Sequence, residues 1–116
     1  MNLSIKQIAE NFSKHNFETT FPYLLDNIEW NMVGGELTIG KENVIKNCNQ
    51  FSEYLKTTQT TFTKFLILES ENYVTVDTVS EYIDKDKTIS KVASCDIYKF
   101  NQGQLVEITS YCVELK

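Results

Sequence analysis

The chain has 116 residues, of which 41% are hydrophobic and 23% charged, enough for one domain with one core over 1–116 and too short for a second. Its net charge is −5, its lysines are scattered, and it contains no arginine. That excludes the basic stripe of a nucleic-acid binder and the bidentate clamp that arginine makes on phosphate or carboxylate.

The first segment, MNLSIKQIAENF, has no long apolar run, so neither a signal peptide nor a membrane span is expected there. Leu3, Ile5, Ile8, Ala9 and Phe12 recur at helical spacing, which predicts a helix over about 4–14 with Ser4 as its cap. His15 follows at its C-terminus, where the helix dipole favours a protonated imidazole. Asn16 then caps a short helix that Pro22 keeps from growing. NIEWNMV has strand character and stops at Gly34-Gly35, which can adopt positive φ. Gly40 gives a tight start to a helix over 40–55, with Val44, Ile45, Cys48, Phe51 and Leu55 forming its apolar stripe.

From Thr57 onward the period changes to two. Four strands are separated by Asp-, Asn- and Gly-containing turns at DKDK and NQGQ. Helices first and an antiparallel meander last make an α+β layout. The three cysteines, Cys48, Cys95 and Cys112, show no CxxC spacing, so reduced thiols in a cytoplasmic protein are expected. The single histidine and the lack of acids at ligand spacing argue against a metal site.

Three segments in this order, FPYLLDNIEWNMVGG, IGKENVI and CDIYKFNQGQLVEITSY, resemble the nuclear transport factor 2-like superfamily, which includes the SnoaL-like cyclases and the ketosteroid isomerases. The resemblance implies a cone-shaped, cystatin-like α+β roll. Three N-terminal helices would pack on a strongly curved, mostly antiparallel sheet. It further implies a cavity open at one end and a homodimer formed through the outer sheet face. Ala93, Cys95, Ile97, Tyr111 and Val113 fall on that outer face by strand parity.

Asp96 stands where the ketosteroid isomerases keep a protonated aspartate that donates to a ligand carbonyl, and its apolar strand is expected to raise its pKa. The position of the isomerase base is Asn31, an amide that can orient a ligand but cannot take its proton, and the tyrosine position of the first helix falls at Ile8. Strand parity adds Ser94 and Tyr98 beside Asp96, and Ile108, Ser110 and Cys112 on the last strand. Placing Asn31 inward would bring Glu29 to the same side, within reach of Asp96, and would leave Trp30 in the core unless a bulge reverses the strand. The expectation is a pocket protein for a small, largely apolar molecule, of isomerase, cyclase or hydrolase type, without cofactor or metal. The alternative is a dimeric module that binds without turnover.

Overall fold

The computed structural model describes residues 2–116. Helix α1 covers Ile5–Ser13 and opens with a capping box. Ser4 Oγ accepts from the Gln7 amide at 3.1 Å, and Gln7 Oε1 accepts from the Ser4 amide at 2.8 Å. A 3-10 helix follows over Phe17–Tyr23. Of the three expected helices, this second one is not α-helical. Pro22 lies inside it and supplies no N–H for a continuing ladder, so the segment ends as a tight turn into the sheet. Asn16 precedes it without a side-chain cap.

Strand β1 spans Leu24–Met32 and β2 Leu37–Ile39. The two form a hairpin that the sequence pattern does not announce, since its second arm has only three residues. Gly34, at φ 83°, makes its turn, and Gly40, at φ 96°, turns the chain from β2 into α2, Lys41–Leu55. The remaining strands are β3 (Gln59–Glu69), β4 (Tyr73–Ile83), β5 (Ile89–Asn101) and β6 (Gln104–Leu115). They make one six-stranded sheet in the order β2-β1-β6-β5-β4-β3. It is mixed: β1 runs parallel to β6, and every other pair is antiparallel.

Both helices lie on one face of this sheet. Helix α1 packs on β3, β4 and β5, and α2 packs on β1 and β2. Ile8, Ala9 and Phe12 of α1, with Val44 and Cys48 of α2, bury against Ile28, Val74, Val76, Tyr98 and Ile108 of the sheet. A fully buried isoleucine such as Ile8 contributes about 1.5–3 kcal/mol over an exposed one. Register shifts occur between Phe62 and Lys64 and between Lys99 and Phe100. The first inserts Thr63 as an extra residue, which brings Phe62 and Phe65 to the same face with rings 5.3 Å apart.

The register also places the cysteines. Cys95 stands opposite Tyr111, and Cys112 opposite Ser94, so the two thiols leave the sheet from opposite faces and cannot bridge. All three cysteines are free, and burial pushes the Cys48 thiol up to about 12. Among the described residues no helix is long and apolar enough to cross a membrane.

Candidate functional site

Between α1, α2 and the covered face of the sheet lies a cavity of about 760 Å³, within the size range of small-molecule sites. Strand alternation sends Ser90, Val92, Ser94 and Asp96 of β5 into it, together with Ser110, Cys112 and Glu114 of β6. Helix α1 brings Phe12 and Ser13, His15 follows just beyond its end, and α2 closes the other side with Asn47, Gln50 and Phe51. A second hollow of about 420 Å³ runs along α2 among Glu42, Lys46 and Glu53, but a single helix face lines it and no sheet residue does.

Asp96 is the polar centre of the cavity. Ser13 Oγ donates to its Oδ2 at 3.1 Å, and the Tyr98 hydroxyl lies 2.6 Å from Ser13 Oγ and 3.5 Å from the same carboxyl oxygen. Each hydroxyl has one proton; with that of Ser13 on Asp96, the Tyr98 proton is shared between Ser13 Oγ and, at the longer distance, Asp96 Oδ2. A second chain arrives from β1: Trp30 Nε1–H donates to Ser110 Oγ at 3.0 Å, and Ser110 stands opposite Asp96 in the sheet. Burial pushes the Asp96 carboxyl above its ordinary value, against the hydrogen bonds from Ser110, Ser13 and Tyr98, which pull it down. No ion pair among the described residues reaches it.

His15 corrects the expectation drawn from the helix dipole. At φ 72° its backbone leaves α1 in the left-handed region and turns the imidazole inward. There it meets four aromatic rings: Phe51 at 5.1 Å, Phe62 at 5.6 Å, Phe17 at 5.7 Å and Tyr82 at 6.4 Å. Burial in this box lowers its pKa from 6.5 to about 4, so the ring is neutral at pH 7.

The sequence-derived candidates divide by position. Asp96, Ser94, Ser110 and Cys112 line the cavity, with Ser94 Oγ 3.4 Å from Cys112 Sγ. Tyr98 is fully buried behind Asp96 and reaches the site through its hydroxyl. Ile8 and Ile108 are fully buried in the core and do not line the cavity. Asn31 and Glu29 are exposed, because β1 turns Trp30 and Met32 toward the cavity and the residues between them away from it. Glu29 therefore forms no carboxylate pair with Asp96, and Trp30 is a wall of the cavity. Ser13 and His15 are site residues that the sequence pattern passed over. Ser13 follows Ala9 by four residues on the apolar face of α1, and a polar residue on that stripe is the signal that marks it. Among the described residues, no group of three or more histidine, cysteine or acidic side chains is placed to hold a metal ion.

No protein-family model matches the chain, and no curated protein matches it. Solved structures do. An NTF2-like protein of unknown function from Cytophaga hutchinsonii is 32% identical, with 91% of this chain and 93% of that one covered and a TM-score of 0.80. A candidate polyketide cyclase from Xanthomonas campestris shares the fold at 11% identity and TM-score 0.71, over 90% of this chain and 83% of that one. A candidate isomerase from Rhodopseudomonas palustris does so at 13% identity and TM-score 0.70, over 93% and 90%.

The buried imidazole gives stability a sign with pH. The folded pKa of His15 lies below its unfolded value, so the unfolded chain binds a proton that the folded chain refuses. Its contribution is present above pH 6.5 and is lost as the pH falls toward about 4, by at most about 3 kcal/mol. Asp96, with its raised folded pKa, acts in the opposite sense and gains as the pH falls. Proton NMR of His15 is expected to titrate near 4. Thermal melts from pH 7 to 4.5 are expected to fall more steeply for the wild type than for His15→Phe, which keeps a ring in the box and removes the titrating group. A midpoint near 6.5 would contradict the buried placement.

Proposed function

This chain belongs to the nuclear transport factor 2-like family, and from that premise we propose that it holds a small, largely apolar molecule in the cavity, with Asp96 as its polar anchor. The observation that carries this reading is the composition of the wall. Phe12, Phe17, Trp30, Phe51 and Tyr82 supply apolar surface, and the Ser13 and Tyr98 hydroxyls gather at Asp96. Proton transfer on such a ligand is the chemistry of an isomerase, cyclase or hydrolase, and the fold is shared with proteins assigned as candidate cyclases and a candidate isomerase. In this reading the groups available to move a proton are the Asp96 carboxyl and the neutral imidazole of His15.

One observation favours binding without turnover. Asn31, at the position where the isomerases carry their base, faces away from the cavity, and its amide cannot take a proton. The reading also includes a homodimer. Leu66, Leu68, Tyr111 and Val113 are exposed, and strand parity puts them on the face opposite the helices, with Ala93, Cys95 and Ile97 half-buried beside them.

Trp30, the only tryptophan, lines the cavity and reports its occupancy. The uncharged dye N-phenyl-1-naphthylamine is expected to quench Trp30 by energy transfer at micromolar concentration. Ser94→Phe, which puts a ring into the cavity, is expected to weaken that binding by about tenfold or more, roughly 1.4 kcal/mol. Equal affinity in the two proteins would place the ligand elsewhere.

Light scattering at about 20 µM is expected to give twice the chain mass of 13.4 kDa. Val113→Glu on the outer face is expected to return it to one chain mass without changing dye binding. A wild type of one chain mass would remove the dimer from the account.

A further inference from the structure

We propose that the molecule held in this cavity is a cation, an organic ammonium with an apolar body, recognised by the Asp96 carboxylate and the surrounding aromatic rings. The inference rests on the ligand-binding reading above and deepens it by stating the charge of the ligand.

Three observations carry it. First, the charged side chains that line the cavity all have one sign. Asp96 lies inside, and Glu36 and Glu114 are exposed at its rim. No lysine lines it, and the chain has no arginine. The lysines that pair with acids do so elsewhere, with Glu10, Glu53, Asp77 and Glu81. An anionic ligand would meet only repulsion and no compensating charge.

Second, the hydrogen bonds around Asp96 fix it as an acceptor. The indole N–H of Trp30 can only donate, so Ser110, opposite Asp96 in the sheet, accepts from it and keeps its own proton free to turn toward the carboxyl. Ser13 donates from the other side. A carboxyl faced by donors is arranged to carry negative charge, yet its half-buried position strips away part of that charge's solvent, and no cation among the described residues pairs with it. A ligand cation supplies the missing counter-charge and holds the group ionised.

Third, aromatic rings line the walls. Phe12 and Trp30 pack edge to face at 5.2 Å beside the Trp30–Ser110 branch, and Phe51 and Tyr82 stand with His15 on another side. Aromatic rings around a carboxylate attract a weakly hydrated ammonium both through their quadrupoles and as apolar surface. With the imidazole neutral, no positive charge in the cavity competes with the ligand.

The test uses four probes of one shape, read by Trp30 fluorescence on the full chain: trimethyl(2-phenylethyl)ammonium, its uncharged carbon isostere, 4-phenyl-2-butanone and 3-phenylpropionate. The ammonium is expected to bind at least about tenfold tighter than the carbon isostere and the ketone, with no binding of the carboxylate. Asp96→Asn keeps the shape and removes the charge. It is expected to abolish that preference, and a far-ultraviolet circular dichroism spectrum matching the wild type is the control that shows the variant is folded. The exposed pair Glu36→Gln and Glu114→Gln, made together, is expected to lower ammonium affinity by a smaller factor of about two to three, consistent with screened charges at a rim. Equal binding of the ammonium and its carbon isostere would overturn the charge assignment and leave the apolar pocket standing. Tighter binding of the ketone would overturn it in favour of a protonated Asp96 acting as donor. Failure of every probe, together with failure of the dye, would overturn both readings.

Discussion

Asp96 is a half-buried carboxyl that no ion pair among the described residues reaches, and much of the arrangement around it follows from the cost of that partial desolvation. A buried acid without donors would be neutral or would unfold its surroundings. Here two hydrogen-bonded chains converge on it, Tyr98–Ser13 from β5 and α1, and Trp30–Ser110 from β1 and β6. Each chain ties a different part of the fold to the same point. Ser13 sets how the C-terminal end of α1 lies on the sheet, 83 residues away in sequence from its acceptor. Trp30 spans the pairing of β1 with β6, the one parallel contact in an otherwise antiparallel sheet. No buried side-chain nitrogen or oxygen among the described residues is left without a partner.

Just beyond Ser13 the chain turns sharply inward at His15, and the imidazole enters a box of rings drawn from the 3-10 helix, α2, β3 and β4. A left-handed backbone at a non-glycine residue costs about 1–2 kcal/mol. The aromatic contacts hold it there, and the result is an uncharged polar ring in the same cavity as the acid. Together they leave a space lined by aromatic rings and by polar side chains, in which Asp96 is the least exposed charge.

The elements that repeat a strong period were legible in the residues. The apolar stripe at Ile8, Ala9 and Phe12 with Ser4 ahead of it marks α1, and the alternation from Thr57 onward marks the four long strands. The arm Leu37–Ile39 was not, because three residues carry no period. On β1 the alternation Ile28, Trp30, Met32 does indicate the inward face, and it conflicts with the resemblance, which put Asn31 there. Local hydrophobic parity decided that strand, since a tryptophan gains far more from burial than an asparagine. His15 was hidden for a different reason. Its surroundings come from four separate segments, and nothing near it in sequence shows that the field of a helix end is outweighed by loss of water. Asp96 was visible as the one acid in an apolar strand, whereas the donors that hold it come from residues 13 and 110 and are defined only by the fold.

The account turns on the state of one carboxyl. Carbon-detected NMR titration of Asp96 in the unliganded protein measures it directly. A midpoint above 3.8, the ordinary value for an aspartate, moved upward again in Ser13→Ala by loss of a donor, is the result expected of a carboxyl that burial destabilises and hydrogen bonds restrain. A midpoint at or below 3.8 that Ser13→Ala leaves unchanged would show a solvated side chain and contradict the site.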